Sequence, residues 1–180
     1  MKEEVTLVLA TTDDAMLIHQ MKYKAFIPLY EKYHDDETTP VKEKIDKLIY
    51  ELIQSNAQYY LIRWRGQSVG AMRIARTHGG AEYRQDVLYI SPLFILPEYQ
   101  NRGIGQTAIR KVFELYPDTI TWRLDTIKQE QSNCHLYEKC GFIRVGNEYV
   151  VNENMTLIDY ERAAASVVSR SSLTKQEVKS

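Results

Sequence analysis

The sequence predicts one domain of the α/β (α+β) class, in which a central mixed, mostly antiparallel sheet is flanked by helices on both faces. Its 180 residues suit a single core. Hydrophobic residues make up 44% of the chain, which is enough apolar material to build that core. The predicted elements run as a strand, two helices, an antiparallel set of strands and then two βα units, an order typical of a sheet covered on both faces.

The individual elements follow from periodicity, caps and turn residues. Apolar alternation and β-rich composition predict seven strands, at residues 5–9, 59–64, 68–77, 86–96, 119–126, 142–151 and 155–160. Helical spacing and capping residues predict four helices, at residues 13–26, 40–53, 103–116 and 132–140. Pro28 is expected to close the first helix, and the second has the clearest apolar face in the chain.

The chain is predicted to divide into a folded domain at residues 1–160 and a polar C-terminal tail at residues 161–180. The tail is rich in alanine, serine and lysine and shows no apolar pattern. We therefore expect it to be frayed or weakly helical.

Composition and charge exclude several classes of protein. The 23 lysines and arginines nearly balance the 24 aspartates and glutamates, for a net charge of −1, so no nucleic-acid partner is expected. Cys134 and Cys140 cannot form a disulfide framework, and His19, His34 and His78 show no metal-ligand spacing, so no metal is expected. The polar N-terminus is unlike a signal peptide and no apolar run could span a membrane, so we expect a cytoplasmic location.

The most informative segment is the glycine-containing loop at residues 100–106, which follows a predicted strand and opens a predicted helix. Gly103 and Gly105 carry no side chain that would keep a ligand from the backbone N–H groups. The helix that begins here adds the partial positive charge of its N-terminus, and Arg102 adds a full charge suited to phosphate. The loop is therefore predicted to bind the pyrophosphate of a cofactor.

Two other interpretations of this loop stay open at the level of sequence. Gly103, Gly105 and Ala108 also fit the dinucleotide fingerprint G-x-G-x-x-A, with Asp125 downstream of them. Against this, residues 97–102 separate the loop from its strand, and too little chain follows for a dinucleotide-binding fold. The loop could also be a turn with no ligand, although an arginine beside two glycines at a helix start favours an anion.

With this loop, the sequence resembles the GNAT N-acetyltransferase superfamily. The family's acyl-CoA signature Q/R-x-x-G-x-G/A is matched by Gln100, Gly103 and Gly105. A second signature, a helix that carries a tyrosine, is matched by Leu-Tyr-Glu-Lys-Cys-Gly-Phe at residues 136–142. The two signatures stand in the family's order, and the resemblance covers about residues 5–160.

The resemblance implies acetyl-CoA as co-substrate and a set of residues that bind it. The family's central strands splay at a bulge before the loop, where backbone groups pair with the pantetheine arm as an added strand would. The implied cofactor-binding residues are Phe94, Ile95, Leu96, Gln100, Asn101, Arg102, Gly103, Ile104, Gly105, Gln106 and Asn133. The sequence departs from the family at Glu130, where many members have an asparagine seven residues before the tyrosine.

The resemblance also implies that an acceptor amine attacks the thioester directly, with no acyl-enzyme. Tyr137 is the predicted acid that protonates the departing CoA thiolate, although a core tyrosine would fit the same pattern. The predicted base is Asp86, with Glu82 as the alternative; both also fit surface charges, and the amine could lose its proton in solution. Cys134 and His135 point in different directions on a helix, so Cys134 is predicted to be a packed thiol and not a nucleophile.

The acceptor is predicted from the connection between the first two helices, residues 30–37, because in folds of this kind these helices line the acceptor side. The segment combines tyrosines with Asp35, Asp36 and Glu37, which would attract a small cationic primary amine or a peptide amine. A solvated acidic loop is the alternative. A homodimer is left open, as is a non-catalytic acyl-CoA-binding module with the same fold.

Overall fold

The computed structural model describes residues 4–78, 80 and 82–164. All seven predicted strands and all four predicted helices are present in this range, so the predicted fold class is confirmed. The last strand continues to Ala163, so the first residues of the predicted tail pair within the sheet, and residues 165–180 lie outside the described range. None of the described helices is long and apolar enough to cross a lipid bilayer.

Seven strands form one mixed sheet. They are β1 (Val5–Leu9), β2 (Ala57–Trp64), β3 (Gln67–Ala75), β4 (Val87–Ile95), β5 (Thr121–Ile127), β6 (Ile143–Asn152) and β7 (Met155–Ala163). Their order in the sheet is β1-β2-β3-β4-β5-β7-β6. Neighbours pair antiparallel except β4 and β5, which are parallel and are connected through a helix, as a parallel pair requires.

Four helices cover the two faces of the sheet. They are α1 (Ala15–Tyr33), α2 (Ile45–Ile53), α3 (Ile104–Leu115) and α4 (Gln131–Lys139). The first two pack on one face around Ile18 and Leu48, and the last two pack on the other face around Ile109 and Trp122. These side chains are fully buried, so hydrophobic burial determines which layer each helix joins.

A bulge in β4 reverses the faces to which its side chains point. Before the bulge, Leu88 and Ile90 belong to the α3–α4 core, whereas after it Phe94 and Leu96 belong to the α1–α2 core. In between, the register with β3 slips by one residue. Such a slip moves every later side chain to the other face of a sheet. The bulge implied before the loop is therefore present, and it lets one strand supply both layers.

The first helix is longer than predicted. An end near Phe26 is wrong, because α1 continues through Pro28 to Tyr33. A proline inside a helix removes one hydrogen bond and costs about 3 kcal/mol, and contacts at the far end of α1 offset this cost. Tyr33 is buried there, its hydroxyl donates to Glu130, and its carbonyl accepts from Asn152 Nδ2 at 2.9 Å.

The second helix is shorter than its apolar pattern predicts. Pro40 begins a separate 3-10 turn, and Glu43 and Lys44 are extended before α2 begins at Ile45. The buried ammonium of Lys22, on α1, lies 2.6 Å from Glu43 Oε1. A buried ammonium needs a carboxylate partner, so this pair holds residue 43 beside α1 and the regular helix begins only after it.

Candidate functional site

A gap opens in the middle of the sheet between β4 and β5. Their parallel pairing covers only three residue pairs, which are Val87 with Thr121, Leu88 with Trp122 and Tyr89 with Arg123. Beyond these pairs, β4 stays paired with β3 as far as Ile95, and β5 stays paired with β7 as far as Ile127. The two strands therefore diverge, and the gap between them exposes strand backbone with which a ligand can pair.

The backbone groups of Leu93 and Ile95 face this gap. Leu96 N–H donates to a β3 carbonyl at 2.8 Å. Because residues of an antiparallel strand alternate between hydrogen-bonded and non-hydrogen-bonded pairs, Phe94 also bonds toward β3 while Leu93 and Ile95 face away from it. In agreement, the Ile95 carbonyl accepts a hydrogen bond from the Gln100 side chain at 2.9 Å. Of the three predicted backbone positions, the geometry favours Ile95, and it adds Leu93.

The loop after β4 ends in the N-terminus of α3. The first helical bond runs from Thr107 N–H to the Gly103 carbonyl at 3.1 Å, which leaves the N–H groups of residues 103–106 without partners inside the helix. Gly103 has a φ of +76°, a left-handed value that glycine adopts without strain. A Cβ on Gly105 would meet Leu136 Cδ2 at 3.4 Å. The two glycines thus keep a helix N-terminus open, which suits an anion.

A cavity of about 420 Å³, here called the loop cavity, runs from this loop into the gap. Among the predicted site residues it is lined by Phe94, Ile95, Gln100, Asn101, Gly103, Ile104, Gly105, Gln106, Asn133 and Tyr137. Two of the predicted cofactor-binding residues do not line it. The Arg102 guanidinium lies 5.5 Å from the Trp64 ring centroid and donates to the Glu98 carbonyl, and Leu96 is buried in the α1–α2 core.

A second cavity of about 400 Å³, here called the α1 cavity, enters the gap from the side of α1 and its connection to α2. The residues that line both cavities are Phe26, Leu29, Leu93, Asn133 and Tyr137. The two cavities therefore meet at these side chains, so that molecules held in the two cavities can contact each other there.

Tyr137 occupies this meeting point. Its side chain is 7% exposed, and Asn133 lies one helical turn before it on the same face of α4. Burial raises the pKa of Tyr137, and the nearby Asp125 carboxylate raises it further. The hydroxyl is consequently protonated at neutral pH.

Comparison with known protein families shows to which family the chain belongs. The profile of the Acetyltransferase (GNAT) family matches residues 20–142, which is more than half of the chain. The chain belongs to the GNAT acetyltransferase family. It is also similar to a Bacillus subtilis (strain 168) protein named uncharacterized protein YrkN, with 30% identity over 158 residues that make up 84% of this chain and 81% of that protein.

Solved acetyltransferase structures share the GNAT fold of this chain. Spermidine N-acetyltransferase from Vibrio cholerae, in complex with CoA and spermine, has a TM-score of 0.68 and 18% identity over 88% of this chain and 95% of its own. AAC(6')-Ib, in complex with ribostamycin and coenzyme A, has a TM-score of 0.68 and 18% identity over 89% and 94%. An acetyltransferase from Thermus thermophilus has a TM-score of 0.67 and 16% identity over 89% and 97%.

The dinucleotide interpretation of the glycine loop does not fit a GNAT fold. A dinucleotide-binding domain is built on an open, mostly parallel sheet. Here β4 and β5 form the one parallel pair among the described strands, and all other neighbours are antiparallel. The fingerprint match at residues 103–108 is therefore coincidental.

Glu130, where many GNAT members carry asparagine, turns away from the loop cavity and bonds to α1. Its Oε1 accepts from Lys32 Nζ at 2.6 Å and from the Tyr33 hydroxyl at 2.5 Å. Burial raises the pKa of Glu130, but these hydrogen bonds outweigh it and hold the pKa below its ordinary value. These bonds connect the start of α4 to the end of α1. Asn133, and not Glu130, lines both cavities.

The predicted base, Asp86, does not line either cavity. It precedes β4, at the opposite end of that strand from the loop, and lines a separate cavity beside Tyr116. Its Oδ2 lies 3.1 Å from Arg84, and Glu82 is exposed to solvent. The role of Asp86 stays a prediction that the geometry does not favour.

The structure instead brings together His78 and Asp125, a pair that the sequence analysis missed. His78 follows β3 and Asp125 lies in β5, and both line the α1 cavity with His78 Nε2 3.3 Å from Asp125 Oδ2. The hydrogen bond with Asp125 raises the pKa of His78 above its ordinary value, against the opposing effect of burial. No local spacing signals this pair, because it depends on the order of the strands in the sheet.

Each acidic residue of the α1–α2 connection already has a hydrogen-bond or ion-pair partner within the chain. Asp35 is buried and accepts hydrogen bonds from the N–H groups two and three residues later, at 2.9 and 2.8 Å. Asp36 pairs with Lys42, and Glu37 accepts from the Tyr149 hydroxyl. Only Asp35 of the three lines the α1 cavity, so the geometry does not favour this loop as the feature that attracts an amine.

The described residues include no cluster of metal-ligating side chains, and both cysteines are buried. Within residues 4–78, 80 and 82–164, no group of three or more histidine, cysteine, aspartate or glutamate side chains could hold a metal ion. Cys134 and Cys140 are free, buried thiols of the α3–α4 core. Burial raises the pKa of Cys140, which disfavours its reactive thiolate.

Proposed function

We propose that the protein is an N-acetyltransferase that moves the acetyl group of acetyl-CoA to a primary amine by direct attack in a ternary complex. One observation carries the proposal: two cavities enter the gap in the sheet from different sides and meet at Tyr137. Separate entrances suit two substrates that are bound at the same time and react where they meet. The GNAT family match, and the CoA in neighbouring structures, support acetyl-CoA as the donor.

The loop cavity offers groups that fit both ends of acetyl-CoA. The free N–H groups of residues 103–106 and the positive end of α3 suit the pyrophosphate. The gap-facing backbone of Leu93 and Ile95 suits the amide-bearing pantetheine arm, which would pair as an added strand. Gln100 now donates to the Ile95 carbonyl at 2.9 Å, so this side chain must share or release that carbonyl when the arm binds. Acetyl-CoA bound here supplies the thioester that the amine attacks.

Tyr137 is the proposed general acid. The new bond forms between the amine nitrogen and the acetyl carbon, the carbon–sulfur bond breaks, and the sulfur keeps the electron pair. Tyr137 donates its proton to that sulfur and later recovers a proton from solvent. The role is supported by the position of Tyr137, whose buried side chain lines both cavities.

His78 and Asp125 are the proposed base. An amine that enters as an ammonium ion must lose a proton before its nitrogen can attack. A neutral imidazole can take that proton, and a carboxylate hydrogen-bonded to the ring stabilises the imidazolium that forms. Both side chains line the α1 cavity, and His78 Nε2 lies 3.3 Å from Asp125 Oδ2.

Asp125→Asn is expected to lower kcat and to move the rising limb of the pH–rate profile to lower pH. Around His78, Asp125 and Asp159 raise its pKa, burial and Arg73 lower it, and the Tyr89 ring packs beside it. Neutral His78 predominates above its pKa, so activity rises with pH through that value. Loss of the Asp125 carboxylate lowers this pKa and weakens the base at the same time.

Asp86→Asn is the matched control, since it removes a carboxylate that lines neither cavity. Profiles are recorded with two amines of different pKa, because a limb that moves with the amine belongs to the amine. If Asp86→Asn moves the limb and Asp125→Asn leaves it in place, then Asp86 is the base and the assignment of His78 and Asp125 is wrong.

The proposed function is tested by mixing the protein with acetyl-CoA and a panel of primary amines. We expect thiol release that requires an amine and that matches N-acetylated product, measured by mass spectrometry, one for one. CoA alone should raise the melting temperature, because a ligand of the native state stabilises it by mass action. A rise in melting temperature without thiol release from any amine would instead identify a non-catalytic acyl-CoA-binding module.

A further inference from the structure

We infer that the acceptor is a primary monoamine with an apolar body, aliphatic or aromatic, and not a polycation. The inference rests on the proposed function, and it narrows the acceptor from any amine to one chemical class. It follows from which side chains line the α1 cavity and from how the nearby carboxylates are already engaged.

The walls of the α1 cavity are mainly apolar and come from β4, β7, α1 and the connection after it. Their apolar residues include Phe26, Leu29, Pro40, Leu93, Met155 and Leu157. The cavity volume of about 400 Å³ is typical of a site for a small molecule. An apolar body gains free energy there because it leaves water for apolar surface.

One carboxylate in this cavity is much more available to an ammonium ion than the other. Within the described part of the chain, the carboxylates that line it are Asp35 and Asp125. Asp35 already accepts three hydrogen bonds, from two backbone N–H groups and from the Thr38 hydroxyl. Asp125 shares a single hydrogen bond with His78, and this pair is where the reacting nitrogen must arrive. Asp159 lies opposite Asp125 in β7, but it is exposed and does not line the cavity. A second ammonium held against the apolar wall would therefore be buried without a carboxylate partner, which is costly.

The rim of the cavity does not supply the missing partner. Asp36 already pairs with Lys42 and accepts from Tyr30, and Glu37 accepts from Tyr149. The carboxylates of residues 35–37 are therefore not expected to form a cation site.

The test compares hexylamine with hexamethylenediamine, which have the same carbon chain and differ by one ammonium group. With acetyl-CoA saturating and the ionic strength fixed, kcat/KM for hexylamine should exceed that for the diamine by about ten-fold or more. This preference is expected even though the diamine offers two nitrogens. An equal or higher kcat/KM for the diamine overturns the inference.

Leu157→Glu should reduce this preference, because it places a second carboxylate on the apolar wall. Leu157 is half-buried and lies opposite Ile127 of β5. The ratio of kcat/KM for the diamine to that for hexylamine should rise about ten-fold. Leu157→Gln, which adds polarity without charge, should leave the ratio near that of the wild type. If Leu157→Glu keeps a wild-type melting temperature and the wild-type ratio, charge in this cavity does not select the acceptor and the inference fails.

Two further measurements complete the test. The double variant Asp36→Asn, Glu37→Gln should leave KM for both amines unchanged, and a raised KM for the diamine would show that the rim does bind cations. Calorimetric binding of each amine to the protein saturated with CoA separates this inference from the proposed function. Tighter binding of hexylamine without any turnover keeps the inference and overturns the function, whereas preferred turnover of the diamine keeps the function and overturns the inference. Absence of binding and turnover for both amines overturns both.

Discussion

Tyr137→Phe should lower kcat by about 10²–10⁴-fold, the range typical of general acid catalysis. The substitution removes only the hydroxyl, so the ring keeps its contacts with Phe142 and Tyr160, each at a centroid distance of 6.2 Å. The dissociation constant of CoA should change little, because the proton is transferred only in the transition state. Steady-state thiol release measures kcat, and calorimetry measures CoA binding.

Tyr160→Phe provides the matched control for this prediction. It removes a second buried hydroxyl, which donates to Glu138 at 2.9 Å and lines neither cavity. Its loss should lower stability by about 1 kcal/mol, the usual contribution of a hydrogen bond, and should leave kcat near that of the wild type. An unchanged kcat in Tyr137→Phe would remove Tyr137 from the mechanism.

Gly105→Val is expected to weaken CoA binding by about 100-fold or more, which corresponds to about 2.7 kcal/mol. A Cβ at this position would already lie 3.4 Å from Leu136 Cδ2. The branched side chain would therefore extend into the loop cavity, over the N–H groups that suit the pyrophosphate. The measurement is the CoA dissociation constant, together with the shift in melting temperature that CoA produces.

Thr107→Val is the control, because it puts valine in the same first turn of α3 on an exposed position that does not line the loop cavity. It removes the hydrogen bond from Thr107 Oγ1 to the Gly103 carbonyl but should leave CoA binding nearly unchanged. A wild-type shift in melting temperature for Gly105→Val would show that CoA does not bind at this helix N-terminus.

The loop could be predicted from sequence because its signal is local. A glycine at a positive φ, a second glycine two residues later and a helix that begins between them are all contained in residues 100–106. The tyrosine signature at residues 136–142 is local in the same way. Both motifs can be recognised without knowledge of the tertiary structure, since each depends only on local backbone geometry and on one helix.

The lining of the α1 cavity could not be predicted, because it depends on contacts between distant segments. His78 and Asp125 meet only because β3, β4 and β5 are neighbours in the sheet. Composition alone made the segment from Asp35 to Glu37 look like a cation site. In the folded chain, neighbouring residues engage Asp35 and Asp36, and Tyr149 of β6 engages Glu37. The passage of α1 through Pro28 is likewise decided by the tertiary contacts of Tyr33.

The short pairing of β4 with β5 divides the sheet into two parts, β1–β4 and β5–β7. Three residue pairs join these parts, and the angle between the two parts sets the width of the gap beyond the pairs. Both cavities open into that gap, so a side-chain change at these three pairs, such as one at Tyr89, is expected to alter both cavities together. If the loop cavity holds the acyl donor and the α1 cavity the amine, as proposed, we expect selectivity for the two substrates to change together.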